Sequence, residues 1–101
     1  MKREKCIVVV SNTGYRDEHL KLLRNWLDQN IALFCAVGKD CEAWEEAMDN
    51  LCVKLDVSGE KPGAFCVTTS HPDETVEEVV EFATGWNCDK EQKCDVEVKE
   101  I

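Results

Sequence analysis

The feature that most constrains this chain is an alternation. Short apolar runs take turns with longer stretches whose apolar residues recur at helical spacing. Residues 6–11 read Cys-Ile-Val-Val-Val-Ser, a continuous β-branched run of the kind that a strand covered on both faces requires. Residues 31–37 form a second apolar run, stopped by Gly38, and residues 64–69 form a third. The last stretch, residues 95–101, differs: Val96 and Val98 alternate with charges, as in a short edge strand protected from pairing.

Between the runs lie three helical patterns. The first covers residues 17–29, with Leu20, Leu23, Trp26 and Leu27 near one face. The second follows Asp40, a good N-cap residue. Its Trp44, Ala47, Met48, Leu51, Cys52 and Leu55 stand at i, i+3, i+4, i+7, i+8 and i+11, one unbroken apolar stripe. The third starts near Ser70-His71-Pro72-Asp73, where Ser70 or His71 would cap and Pro72 suits the first turn. It buries Val76, Val79, Val80 and Ala83, and Gly85 can end it. A β-α-β-α-β-α-β string predicts a three-layer α/β domain with a mostly parallel four-stranded sheet and right-handed crossovers. The simplest doubly wound order is 2-1-3-4, which would set the second and third helices side by side on one face.

Composition bounds the rest. The chain of 101 residues is 44% hydrophobic, enough for one core, and single domains cluster at roughly 100–150 residues. Residues 1–101 are therefore expected to form one domain. No run approaches the roughly 20 apolar residues of a membrane span, and the start passes from charges into the first strand without a leader-like core. Against 21 Asp+Glu stand 12 Lys+Arg, a formal net charge of −9. That balance argues against direct nucleic-acid binding, which depends on basic residues displacing counterions.

The charge is not spread evenly. Residues 40–50 carry Asp40, Glu42, Glu45, Glu46 and Asp49, and residues 73–81 carry Asp73, Glu74, Glu77, Glu78 and Glu81, with no Lys or Arg in either stretch. Acids in a first helical turn are favoured by the helix dipole, which accounts for Asp40, Glu42, Asp73 and Glu74. It does not account for Glu45, Glu46, Asp49, Glu77, Glu78 and Glu81, since a solvated face normally mixes signs. These six are the expected contacts for a basic protein partner. With helices two and three adjacent, they would form one acidic face.

A second candidate site lies at the carboxyl ends of the strands, where open parallel sheets place their ligands. Ser11 to Tyr15, Gly38 to Cys41, and Thr69 to Asp73 would meet there. Cys41 in a first helical turn is a candidate thiol, with His71 as its base and Asp73 or Glu74 orienting the ring. Asp40, Cys41, His71 and Asp73 are also acceptable zinc ligands, at a spacing that is not diagnostic. The neighbouring carboxylates would raise the thiol pKa, and neither Gly-rich phosphate-loop pattern is present. No catalytic, metal or cofactor assignment is therefore made from these residues.

Seven cysteines are an odd number with no Cys-x-x-Cys, a poor fit to a disulfide framework or structural zinc. Cys35, Cys52 and Cys66 read as small buried hydrophobes, and a reducing cytoplasm is the expected compartment. Cys88 and Cys94 flank a polar loop, where they are read as two free surface thiols, with pairing left open. The tryptophans read as core or core-edge residues, and His19 as solvated.

Two stretches carry a resemblance. Gly38-Lys39-Asp40-Cys41-x-x-Trp44, and Thr68-Thr69-x-His71-x-Asp73-Glu74 followed by Glu77-Glu78-Val79, resemble a family of small bacterial α/β proteins of unknown function. The resemblance runs over most of the chain and implies a fold but no activity. In size, acidity and a compact parallel sheet the chain is also similar to barstar-type ribonuclease inhibitors, a likeness that implies an inhibitor role by analogy alone. The favoured expectation is a non-enzymatic cytoplasmic interaction module of inhibitor or immunity type. The alternative is a thiol-based enzyme or metal site using Cys41 and His71.

Overall fold

The computed structural model describes residues 5–86 and 95–101. The elements run β1 (Lys5–Ser11), a 3-10 turn (Asp17–His19) leading into α1 (Leu20–Leu27), β2 (Leu33–Gly38), α2 (Cys41–Ser58), β3 (Val67–His71), α3 (Val76–Gly85) and β4 (Asp95–Glu100). Among the described residues no helix is long and apolar enough to cross a membrane. The five described cysteines, Cys6, Cys35, Cys41, Cys52 and Cys66, are buried. Cys88 and Cys94 lie outside the described residues.

All three strand pairings are parallel. The order is β3-β2-β1-β4, not the expected 2-1-3-4. The residues explain the difference. In β2, Leu33 to Val37 are all buried, as an interior strand demands. In β3, Val67 to Ser70 are only half-buried and three of these four carry hydroxyls, which suits an edge. The two most apolar runs thus take the two interior places, and the charged β4 closes the other edge as expected.

This order rearranges the helices. From β1 to β2 to β3 the chain steps twice in one direction, so right-handed crossovers put α1 and α2 on the same face. Leu23 and Trp26 of α1 share a buried cluster with Trp44 and Met48 of α2 and with Ile7 and Phe34 of the sheet. The return from β3 to β4 carries α3 over the opposite face. There Val79 and Ala83 pack on Cys6, Val8, Leu33 and Cys35. β1 is apolar at successive positions because Ile7 and Val9 serve one cluster while Cys6 and Val8 serve the other. Helices α2 and α3 therefore do not share a face, and the single acidic face expected above does not form.

The element ends show local corrections. The first helix stops at Leu27 rather than 29. Asn30 takes a left-handed conformation with φ 60°, and the Lys61 amine donates to the Leu27 carbonyl at 3.0 Å and to the Asp28 carboxylate at 3.3 Å. The third strand extends to His71, past the expected end at 69. Pro72 falls in the turn that follows, and the cap of α3 is Thr75, not Ser70 or His71. The Thr75 hydroxyl accepts the Glu78 N–H at 3.2 Å while the Glu78 carboxylate accepts the Thr75 N–H at 3.1 Å, a reciprocal capping box. Leu20 and Phe82, expected on or near apolar stripes, are each 40% exposed.

Candidate functional site

At the carboxyl end of the sheet, β1 and β2 are stitched together around Ser11. Its buried hydroxyl accepts the Trp44 indole N–H at 3.0 Å and the Gly14 N–H at 3.2 Å. Its carbonyl accepts the Lys39 N–H at 2.9 Å. A Cβ at Gly38, where φ is +99°, would collide with that carbonyl, so only glycine lets the strands approach here.

Asp40 behaves differently from the expected helix cap. It makes no side-chain cap bond to α2, and its backbone is left-handed with φ 58°. Its carboxylate instead reaches across to the β1–α1 loop and accepts the Tyr15 N–H at 3.2 Å. Three further loop amides are taken: Asn12 donates to the Ile101 carbonyl, Gly14 to the Ser11 hydroxyl and Arg16 to the His19 ring.

The aromatic residues close the same corner. Trp44 is fully buried, with Tyr15 edge-on at 5.1 Å and His19 stacked on it at 4.8 Å. His19 is therefore a packing partner rather than a solvated side chain. Burial, reinforced by the charge of Asp17, pushes the Tyr15 phenol above its ordinary range.

The structure does not bring Cys41 and His71 together. Cys41 is buried in the cluster under α1 and α2. The His71 ring lies on the α3 side of the sheet, against Phe82 at 5.3 Å. Its Nε2 is 2.8 Å from the Thr69 hydroxyl and its Nδ1 is 2.8 Å from the Glu74 carboxylate. The sheet separates the thiol from the imidazole. Asp40 turns toward Tyr15, and Asp73 is exposed in the turn before α3. Among the described residues no group of three or more His, Cys, Asp or Glu could hold a metal ion.

The acidic residues have a clearer arrangement. In a parallel sheet each helix starts where a strand ends, so the acid-rich first turns of α2 and α3 both begin at the carboxyl end. β3 connects them, with α2 leading in and α3 leading out. Two of the predicted contacts bind β3 itself: Asp49 accepts the Thr68 hydroxyl at 2.7 Å and Glu45 accepts the Ser70 hydroxyl at 2.9 Å. Glu78 serves the α3 cap, and Glu46, Glu77 and Glu81 are exposed. Among the described residues, no Lys or Arg forms an ion pair with any of the ten carboxylates. Glu45 and Asp49 on the α2 side and Glu74 beside His71 on the α3 side bracket β3 from both faces.

Basic groups collect elsewhere. Lys21, Arg24 and Lys54 help line a groove of about 470 Å³ between α1 and α2, floored by Leu20, Leu51 and Leu55. Arg24 and Lys61 both bind Asp28, and the Arg24 hydrogen bond holds that carboxyl below its usual range.

Sequence reasoning missed the Ser11–Trp44 bond and the hydroxyl contacts of β3. The second had a signal: Thr68 and Ser70 alternate, as side chains on one face of a strand must. No curated protein matches the chain, and no solved structure does. A family model described as Domain of unknown function (DUF7684) matches residues 1–99, and the chain belongs to that family.

Proposed function

We propose that this protein is a non-enzymatic interaction module, of inhibitor or immunity type, that presents carboxylates to a basic protein partner. One observation carries the reading: ten carboxylates on the two segments flanking β3 have no Lys or Arg ion-pair partner among the described residues. Unrelieved like charge raises the energy of the free protein, and a cationic surface relieves it while steering association. Glu45, Glu46, Asp49, Glu77, Glu78 and Glu81 are the contacts. Because α2 and α3 lie on opposite faces, a partner engages both from the β3 side, for instance by offering a basic groove that otherwise binds nucleic acid. The odd number of cysteines and the packing of five of them as apolar residues support a reducing, cytoplasmic setting.

The test is capture at low salt from extracts of the source cells, comparing the native protein with the Glu45→Lys, Glu46→Lys, Glu77→Lys, Glu78→Lys variant. A basic protein retained by the native chain and lost by the variant is expected. Its association rate should fall with added salt for the native chain and lose that dependence in the variant. Retention of the same proteins by both chains rejects the reading.

A further inference from the structure

We infer that the outer edge of β3 is a docking line for an extended, Lys/Arg-bearing segment of a partner, which adds to the sheet as a fifth strand. The inference rests on the proposed basic partner and supplies its binding mode.

The register fixes which main-chain groups are available. The Val67 N–H bonds the Ala32 carbonyl of the chain leading into β2, at 3.0 Å. In a strand the N–H and C=O of one residue point the same way and successive residues alternate. Val67, Thr69 and His71 therefore face β2, and Thr68 and Ser70 turn their N–H and C=O groups outward. Among the described residues no strand lies beyond β3. This edge offers two donors and two acceptors to an incoming strand, the mode by which an extended peptide extends a sheet.

The two edges of the sheet are built differently. β4 carries Asp95, Glu97, Lys99 and Glu100, and Glu97 pairs with both Lys5 and Lys99 at 3.2 Å, the usual way of blunting an edge. β3 carries no Asp, Glu, Lys, Arg or Pro. Two residues before it stands Phe65, 74% exposed, an apolar contact for an arriving strand.

The flanking charges select the occupant. Side chains of a fifth strand would alternate between the two faces. On the α2 face they meet Glu45 and Asp49, anchored by the Ser70 and Thr68 hydroxyls. On the other face they meet Glu74 beside His71. Residues 62–89 contain no Lys or Arg. A strand with basic residues at alternate positions is complementary on both faces. A second copy of this chain is not, because pairing β3 with β3 would oppose Glu45 and Asp49 to their own duplicates.

The experiment uses a synthetic heptapeptide alternating Lys and Val, and the same peptide N-methylated on one edge so that charge is kept and strand pairing is blocked. Binding to the native chain is measured at low salt, with amide exchange read at Thr68 and Ser70. The native chain should bind the free peptide at least tenfold more tightly than the methylated one and should slow exchange at both amides. Ser70→Pro, which removes an outward N–H and no internal one, should also bind the free peptide at least tenfold more weakly. The methylated peptide keeps the test valid if that variant does not fold. Equal binding of both peptides overturns the edge while leaving the basic-partner reading intact. Failure of both peptides to bind removes both readings. Self-association of the native chain that Ser70→Pro abolishes assigns the edge to a second copy and overturns the proposal.

Discussion

The Trp44 indole N–H and the Gly14 N–H converge on one acceptor, the buried Ser11 hydroxyl, at 3.0 and 3.2 Å. This ties the core of α2 to the end of β1 through a single oxygen. Removing that oxygen leaves the indole donor without this acceptor inside the core. Ser11→Ala is expected to lower unfolding stability by about 1–3 kcal/mol, the cost of stranding a buried donor. Urea unfolding at neutral pH checks this through a lower midpoint at constant slope. An unchanged midpoint would show that the bond contributes nothing net.

Gly38 holds β2 against the Ser11 carbonyl with φ +99°. An alanine there meets two penalties at once: a Cβ driven into a backbone oxygen and a left-handed backbone that L residues avoid. Gly38→Ala is expected to cost more than about 2 kcal/mol, since a strained φ and a steric clash both fall among the strongly destabilising mechanisms. Thermal unfolding gives the comparison. Gly59→Ala is the control for φ alone, because its added Cβ meets no atom within 4 Å, and it should lose clearly less.

These two positions mark where sequence reading ends. The element types were legible because each rests on local periodicity: the stripe from Trp44 to Leu55 and the β-branched run after Cys6 each admit one structure. The strand order was not, because 2-1-3-4 and 3-2-1-4 both satisfy the same pattern of buried runs. What separates them is the hydroxyl content of β3, a weak signal of an edge. That one choice moved α3 to the opposite face from α2 and separated Cys41 from His71. The ten carboxylates were legible as a charge excess, but the bracketing of β3 by Glu45, Asp49 and Glu74 depends on the order. Asp40 shows the same limit at one residue. Its type and place suit a helix cap, and only the approach of Tyr15 in three dimensions redirects its carboxylate.

Asp40 therefore lends itself to a two-variant test. Asn tolerates the left-handed region and keeps a side-chain oxygen for the Tyr15 N–H. Asp40→Asn should change stability by less than about 0.5 kcal/mol, as a near-isosteric surface change does. Asp40→Ala loses the acceptor and strains the backbone, so about 1–3 kcal/mol is expected from those two effects together. Equal losses in both variants would mean that the carboxylate charge, not its hydrogen bond, matters.

Thr75 supplies the side-chain cap that Asp40 does not give α2. Its hydroxyl accepts the Glu78 N–H at 3.2 Å, with Glu78 returning the bond. Thr75→Ala should cost about 1 kcal/mol, and Thr75→Ser considerably less, because serine keeps the capping oxygen. Chemical denaturation of the two variants side by side settles the comparison. A serine variant as weak as alanine would point to the lost methyl group instead of the cap.

Cys66 gives the fold an alkaline limit. Its sulfur is buried 3.9 Å from that of Cys52. Burial first, and the neighbouring Cys52 thiol second, push the Cys66 thiol far above its ordinary range. An unfolded cysteine loses its proton near about pH 8.5, while the folded chain keeps this one. The stabilising difference is fully present below the unfolded pKa and is lost as pH rises, because unfolding then releases a proton. Each such proton steepens the loss by about 1.4 kcal/mol per pH unit. Urea unfolding from pH 8 to 10 should therefore show a shallower decline for Cys66→Ala than for the native chain, whatever the variant's stability at neutral pH. Parallel declines would show that the Cys66 thiol ionises as readily in the folded protein as in the unfolded chain.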